Sequence, residues 1–303
     1  MDVNNIMNYK YTFTVFTPTY NREKLIHRVF ESLMKQNFKD FEWLIVDDGS
    51  SDNTKEIIEE FKKEATFPIR YIYQENGGKH RAFNRGVKEA QGEFFLTADS
   101  DDYFLSDALD TLKHYWDLIP EDEKKDFSAV TGLCVDDGGN IVGDKYPKDI
   151  FDSNSFETNF VYKIKGEKWG FQKTDVLKKF PFKEFEGERF IAESSVWFAI
   201  SKEYKTRYIN KPLRIYEINS DSLSSNSINL IIKNPKGVVY NYFHEFNLPI
   251  PLKYKIKSMI NCIRFSLYKK DVFFNCLKIQ KKILLPITLP IGFLMYIKDK
   301  SKK

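Results

Sequence analysis

The sequence predicts a doubly wound α/β domain, a mostly parallel sheet covered by helices on both faces, followed by a basic helical C-terminal extension. Three observations predict it. Over the first hundred residues, short apolar runs rich in β-branched and aromatic side chains alternate with segments whose apolar residues recur at helical spacing. The connections between these segments are short, as repeated β-α-β units require. Beyond about Ser220 the alternation stops and lysine-rich, helix-patterned sequence takes over.

The first strand is expected at Tyr11 to Thr17, ending in a turn at Pro18. From Arg22 to Gln36, Leu25, Ile26, Val29, Phe30, Leu33 and Met34 recur at helical spacing and define one buried face. "FEWLIV" at Phe41 to Val46 reads as the second strand. "DDGSSDNT" then supplies turn residues, with Asp52 as N-cap of a helix that buries Ile57, Ile58 and Phe61. Ile69 to Tyr73 is the third strand. The glycine turn at Asn76 to Gly78 opens a helix through Ala82, Phe83, Val87 and Ala90, which Gly92 is expected to end. Glu93 to Thr97 is the fourth strand.

At 303 residues, with 42% hydrophobic and 16% aromatic content, the chain can bury a sizeable core, which argues against disorder. A net charge of +4 and the lack of RNA-module or zinc-finger spacing give no reason to expect a nucleic-acid partner. Cys134, Cys262 and Cys276 are odd in number and far apart, which fits a reducing compartment better than a disulfide framework. The stretch "MDVNNIMNYKYTF" lacks a basic n-region and an apolar h-region, so a cytoplasmic location is expected.

In doubly wound sheets ligands bind beyond the C-terminal strand ends. That rule selects "TPTYNR", "DDGSSDNT", "QENGGKH" and "DSDD". In the last of these, Asp99, Asp101 and Asp102 stand directly behind an apolar strand. Carboxylates crowded there raise one another's pKa unless a cation neutralises them. Mg²⁺ or Mn²⁺ suits them, because these ions bind through one or two carboxylates plus substrate phosphates. The alternative is a solvated acidic turn in which Asp102 or Ser106 caps the next helix. An EF-hand fits poorly, since the sixth position of a loop starting at Asp99 is Phe104 where that turn needs glycine.

Residues Tyr11 to about Tyr103 resemble the nucleotide-binding half of family-2 glycosyltransferases with the GT-A fold. "TPTYNR", "LIVDDGSSDNT", "ENGGKHRAFNRGVKEAQGEFF" and "DSDD" match that family's motifs in order, each behind the right element, and no P-loop or G-x-G-x-x-G competes. The resemblance implies that Pro18 and Tyr20 flank or stack on the nucleobase and that Asp48 accepts from its imide, uridine being the commonest base. It implies that Asp99 and Asp101 are the DxD pair binding Mn²⁺ or Mg²⁺, with Asp101 the direct ligand and Asp99 near the ribose or the metal. Lys79 either meets the diphosphate or is simply solvated. Tyr20 packing the turn and Asp48 capping the following helix are the structural alternatives.

The stretch from Phe182 to Glu217 resembles the family's segment around the catalytic acid. Glu193 precedes the apolar helix pattern of Val196, Trp197 and Ile200. Many relatives carry Glu-Asp where this chain has Glu193-Ser194, so Glu188 and Glu186 stay open beside Glu193 as the base, and Glu193 complementing the helix dipole is the structural alternative. Trp169 and Trp197 either line an acceptor pocket or belong to the core. The implied reaction is a metal-dependent, inverting single displacement that moves a sugar from a nucleoside-diphosphate sugar to an acceptor hydroxyl of a glycan or lipid-linked glycan. A catalytically inactive nucleotide-sugar binding module is one alternative. A sugar-phosphate nucleotidylyltransferase is another, but it would need a basic glycine-rich loop where this chain has "TPTYNREK".

The domain reading is a catalytic domain over residues 1–220, with a nucleotide-binding half at about 11–103 and an acceptor half at about 104–220, then a helical extension over 221–303. "SDSLSSNS" reads as the loop between them. From Lys253 onward basic residues far outnumber the acids Asp271 and Asp299. Ile283 to Ile297 is too short and too proline-broken for a span of about 20 residues. Flanked by lysines, it suits either a segment lying on an anionic inner leaflet or a helix packed back on the protein.

Overall fold

The computed structural model describes residues 9–216, 227–279 and 284–301. The chain forms two compact units. One is drawn from Met1–Asp152, Gly166–Phe180 and Lys205–Glu217, the other from Ser153–Lys165, Pro181–Tyr204 and Ile218–Lys303.

The first unit is built on a nine-stranded sheet. Strands β1 (Tyr11–Thr19), β2 (Phe41–Asp47), β3 (Ile69–Tyr73) and β4 (Gly92–Thr97) lie in the order β3-β2-β1-β4 and pair in parallel. Helices α1 (His27–Met34), α2 (Thr54–Glu64) and α3 (Lys79–Glu89) connect them. The register sets Thr19 opposite Asp47 and Asp47 opposite Tyr73, with Phe16 opposite Thr97, so the C-terminal strand ends converge on one edge.

Side chains alternate across the sheet as pleating dictates. Phe13 and Val15, Trp43 and Ile45, and Phe94 and Leu96 are fully buried with Val29 and Leu33 of α1 and Ile58 of α2. On the opposite face Phe16 meets Phe83 of α3 at 5.8 Å and stacks on Phe95 at 4.9 Å. A Cβ at Gly86 would come within 2.3 Å of the Phe16 ring, so α3 can approach the sheet this closely only with glycine there. Buried Glu42 is satisfied by the Thr14 hydroxyl at 2.7 Å, Arg70 at 3.0 Å and the Gln91 N–H at 2.8 Å.

Beyond β4 the sheet becomes mixed. After β5 (Tyr103–Phe104), α4 (Ala108–Asp117), β6 (Phe127–Val135) and β7 (Ile150–Ser153), the strand β8 (Lys168–Lys173) inserts antiparallel between β4 and β6. α5 (Thr174–Lys179) follows it. β9 (Lys205–Ile215) runs parallel to β6 and antiparallel to β5, with β7 also on β9.

Three local expectations are adjusted. α1 starts at His27, because Arg22 to Ile26 form a hydrogen-bonded turn. Asn53 is the N-cap residue of α2, while Asp52 accepts from the Thr54 N–H, the Thr54 hydroxyl and the Glu23 N–H, joining two loops. Gly92 opens β4 rather than closing α3. A Cβ there would lie 2.2 Å from the Thr14 nitrogen, so glycine serves the close approach of two strands.

The second unit is helical among its longer elements: α6 (Ser194–Ile200), α7 (Ser227–Lys233), α8 (Pro235–Phe246), α9 (Leu252–Ser266), α10 (Lys270–Ile279) and α11 (Leu285–Lys300). Val238, Val239, Ile263, Phe265 and Val272 form one core there, and Phe198, Leu248 and Ile250 another. The carboxylate of buried Glu188 accepts the Lys236 and Gly237 N–H groups, both at 2.8 Å, and so satisfies the first turn of α8. All three cysteines are buried and free. Of "SDSLSSNS", residues 220–226 lie outside the described residues, and Ser227 opens α7.

Candidate active site

The converging ends of β1 to β4 carry most of the residues the sequence singles out. The loops after β1 and β2 are tied together. Asn21, at φ 52°, donates its N–H to the Ser50 hydroxyl at 2.8 Å and accepts the Ser51 N–H through Oδ1 at 2.8 Å. Asp47 accepts the Ser50 N–H at 2.7 Å and the Tyr71 hydroxyl at 2.7 Å; burial, and then this carboxylate, hold the Tyr71 phenol above its usual range. Tyr20 stands half-exposed just past β1, and Pro18 sits opposite Val46 in the sheet.

Asp48 is nearly buried. Its carboxylate accepts Gln74 Nε2 at 2.7 Å, the Gly77 N–H at 2.9 Å and the Gly78 N–H at 2.7 Å, so it ties the end of β2 to the glycine turn that starts α3. A carboxylate offers about four acceptor positions. Three are filled from within the chain, and one remains for an N–H donor.

Immediately beyond that turn, Lys79 reaches Asp99, with Nζ 2.8 Å from Oδ1 and 3.0 Å from Oδ2. Burial works to raise the Asp99 pKa. Lys79 outweighs it, with Arg214 and Arg22 assisting, and the carboxyl stays below its usual range. The acid loop closes on itself: Asp102 donates its N–H to the Asp99 carbonyl, and Asp99 returns its own N–H to Asp102 Oδ2, both at 2.9 Å. The same oxygen takes Arg214 Nη1 at 3.0 Å. Burial pushes Asp102 up to about 7 against the pull of Arg214, and the charges of Asp99 and Asp101 push the same way. Arg214 holds its proton more firmly than usual, because Asp102, Cys134, Asp99 and Glu167 together overcome the effect of burial.

Arg214 is the residue that sequence reasoning missed. It projects from β9, is 7% exposed and also approaches Glu167 at 3.5 Å. The pairing of β5 with β9 sets Phe104 opposite Arg214, which brings this cation beneath an acid loop 112 residues away in the chain. Its only sequence trace is a lone arginine within "PLRIY".

The three acids therefore divide their work. Asp102 anchors the loop on Arg214. Asp99 faces Lys79. Asp101 is half-exposed and accepts no hydrogen bond from the described residues. Among the described residues no group of three or more His, Cys, Asp or Glu side chains could hold a metal ion unaided. What the loop offers is a pair of hard oxygen donors, Asp99 and Asp101. This donor set fits an ion of the Mg²⁺ or Mn²⁺ type whose remaining ligands come from phosphate and water.

Trp169 takes the core alternative: it donates Nε1 to the Thr97 carbonyl at 2.7 Å and stacks on Phe104 at 4.6 Å. The candidate bases belong to the second unit. Glu193 is exposed immediately before α6, where its carbonyl accepts the Val196 and Trp197 N–H groups. Glu186 is exposed too, whereas both oxygens of Glu188 are engaged by α8. Trp197 is half-buried, 6.5 Å from the Phe182 ring.

Comparison with known proteins agrees with this architecture. The family model described as Glycosyl transferase family 2 matches residues 14–173. The Campylobacter jejuni GalNAc(5)-diNAcBac-PP-undecaprenol beta-1,3-glucosyltransferase is 32% identical over 210 residues, covering 68% of this chain and 64% of that protein. Glycosyltransferase GlyA of Streptococcus pneumoniae is 31% identical over 230 residues, covering 70% of this chain and 31% of that protein. The chain thus spans less than two thirds of the length of these curated relatives. Among solved structures, Staphylococcus aureus TarS 1-349 in complex with UDP superposes with a TM-score of 0.64 at 19% identity, covering 95% of this chain and 88% of that one. The Pyrobaculum calidifontis mannosyltransferase PcManGT, in complex with GDP-Man and Mn²⁺, gives 0.55 at 18% identity, covering 96% and 80%. The likeness to these structures is one of fold, and the family match takes in β1 to β8 with the acid loop, the glycine turn and Asp48: the chain belongs to glycosyl transferase family 2.

Proposed function

We propose that this protein transfers a sugar from a nucleoside-diphosphate sugar, a UDP-sugar, to an acceptor hydroxyl of a glycan or lipid-linked glycan, by a metal-dependent, inverting single displacement. The observation that carries the reading is the acid loop. Asp101 accepts no hydrogen bond from the described residues while Asp99 and Asp102 are held by Lys79 and Arg214, all at the strand ends that also position Asp48. The nucleotide-binding half would lie at about 11–103, with the remainder of 1–220 serving the acceptor.

In this reading Tyr20 and Pro18 flank the base, and the remaining acceptor position of Asp48 takes its imide N–H. Asp99 and Asp101 would hold Mn²⁺ or Mg²⁺, which supplies charge neutralisation for the departing diphosphate. Lys79 moves from Asp99 to the diphosphate as a point charge. A carboxylate takes the proton of the attacking hydroxyl. Glu193 is favoured for that role over Glu188, whose two oxygens already satisfy α8. The UDP and UDP-GlcNAc complexes of TarS support the donor class, and the undecaprenol-linked acceptor in the name of the Campylobacter relative supports a lipid-linked acceptor. Such an acceptor lies at a membrane, and the basic C-terminal segment is consistent with work at its inner surface.

The test is thermal stability against a panel of nucleoside diphosphates and nucleotide sugars, with and without Mn²⁺. A ligand that binds only the folded state raises apparent stability by mass action. A Mn²⁺-dependent shift with UDP or a UDP-sugar, lost in Asp101→Ala, is expected. No shift with any nucleotide would overturn the reading, and binding without any release of nucleoside diphosphate would favour an inactive module.

A further inference from the structure

The last helix divides its side chains in a way the donor site does not explain. α11 is seated on α9 through small residues: Thr288 is fully buried, and a Cβ at Gly292 would lie 2.8 Å from Ile263 Cγ2 and 2.9 Å from the Ile260 carbonyl. At its end Asp299 accepts Arg264 through both oxygens at 2.6 Å, and Tyr296 meets Tyr268 edge-on at 4.9 Å. Leu285 packs on the core around α9, but most of the large apolar residues of α11 are not in that seam. Ile287, Leu289, Ile291, Phe293, Leu294 and Ile297 are all exposed, Leu294 to 65%. A helix that buries its glycine and threonine while presenting isoleucine, leucine and phenylalanine has its apolar surface turned towards another medium.

Charge identifies that medium. From Leu252 to the end of the chain the acids are Asp271 and Asp299, and Asp299 is spent on Arg264, while Lys298 and Lys300 follow the apolar ridge and Lys281 and Lys282 precede it in sequence. A second copy of the chain would set one basic frame against another. Anionic headgroups over an acyl interior complement both the ridge and its frame. The helix lies on such a surface rather than crossing it. Its 16 residues reach about 24 Å at 1.5 Å per residue, short of the roughly 30 Å hydrocarbon core, and Pro290 interrupts its bonding. Among the described residues no helix is long and apolar enough to span a membrane.

We infer that α11 is an in-plane anchor whose exposed ridge inserts into the interfacial layer of an anionic bilayer while Thr288 and Gly292 keep it fastened to α9. The inference deepens the lipid-linked acceptor reading but does not depend on the donor site, since its test needs neither nucleotide nor metal. The full chain is sedimented with vesicles of phosphatidylcholine alone or mixed with phosphatidylglycerol. Strong binding to the anionic vesicles, weakened by added salt, is expected, with at least about a tenfold loss of partitioning in Phe293→Glu/Leu294→Glu at unchanged thermal stability. A second variant, Leu294→Cys carrying an environment-sensitive fluorophore, should shift its emission to the blue on anionic vesicles and stay unshifted in buffer. Equal sedimentation of wild type and double variant, no emission shift, or a concentration-dependent dimer that the double variant dissolves would each overturn the anchor. None of these outcomes would alter nucleotide binding.

Discussion

Removing the Arg214 cation while keeping its stem, as in Arg214→Met, isolates the contact on which the acid loop rests. Both partners are 7% exposed, and Nη1 lies 3.0 Å from Asp102 Oδ2. With its partner gone, Asp102 becomes an uncompensated buried carboxylate, which typically costs about 3–5 kcal/mol. Asp102→Asn in the same background removes that charge, and its amide oxygen can still accept the Asp99 N–H. The deficit should then fall to about 1–2 kcal/mol, the scale of an imperfectly satisfied buried polar group. The assay is urea unfolding of wild type, both single variants and the double variant, read as a double-mutant cycle at a pH well above 7. A coupling energy of at least about 2 kcal/mol is expected. If the single-variant losses simply add, Arg214 does not hold the loop through Asp102.

Other consequences follow from the same geometry. Glu193→Gln should lower kcat by about 10²–10⁴-fold with donor binding unchanged, and normal turnover would move the base to Glu186 or elsewhere. Gly49 has φ +90°, and an added Cβ would sit 2.9 Å from the Asn76 nitrogen. Gly49→Ala should therefore lose about 1–2 kcal/mol and weaken UDP binding in calorimetry, whereas wild-type affinity would separate the β2 loop from the glycine turn. In the second unit, burial raises the Glu245 pKa, opposed by the Ser258 hydroxyl and Lys257. A carboxyl that holds its proton more tightly when folded contributes stability below its unfolded pKa and loses it as pH rises through the folded value. Glu245→Gln should gain stability relative to wild type as pH increases across that window, and an unchanged difference between acid and neutral pH would refute this.

What could be read from the sequence depended on distance along the chain. β1 to β4 and their helices follow from local periodicity, because each strand carries its own apolar pattern; β2 pairs with β1 and β3 with β2 one crossover away, while β4 returns to the other side of β1. Asp48 and Asp99 lie just past the ends of β2 and β4 and Lys79 opens α3, so their placement is legible too. Asp52 and Gly92 mislead a local reading, since each serves a partner on another segment, the Glu23 loop and the β1 backbone. The mixed half of the sheet was not legible. β5, β6, β8 and β9 are ordered by pairings between distant segments, and Arg214 acquires its meaning only when β9 comes beside β5. The basic composition of the C-terminal segment was visible, but which residues of α11 face α9 required the packing of Gly292.

The most direct test of the account is the release of UDP from a panel of UDP-sugars, with a membrane lipid extract as the acceptor source, in wild type and in Asp101→Ala. The account predicts release by the wild type with Mn²⁺ or Mg²⁺ that stops on chelation and is absent in the variant. Release that persists through chelation and in Asp101→Ala would contradict it, because the Asp101 carboxylate of the acid loop would then have no part in the transfer.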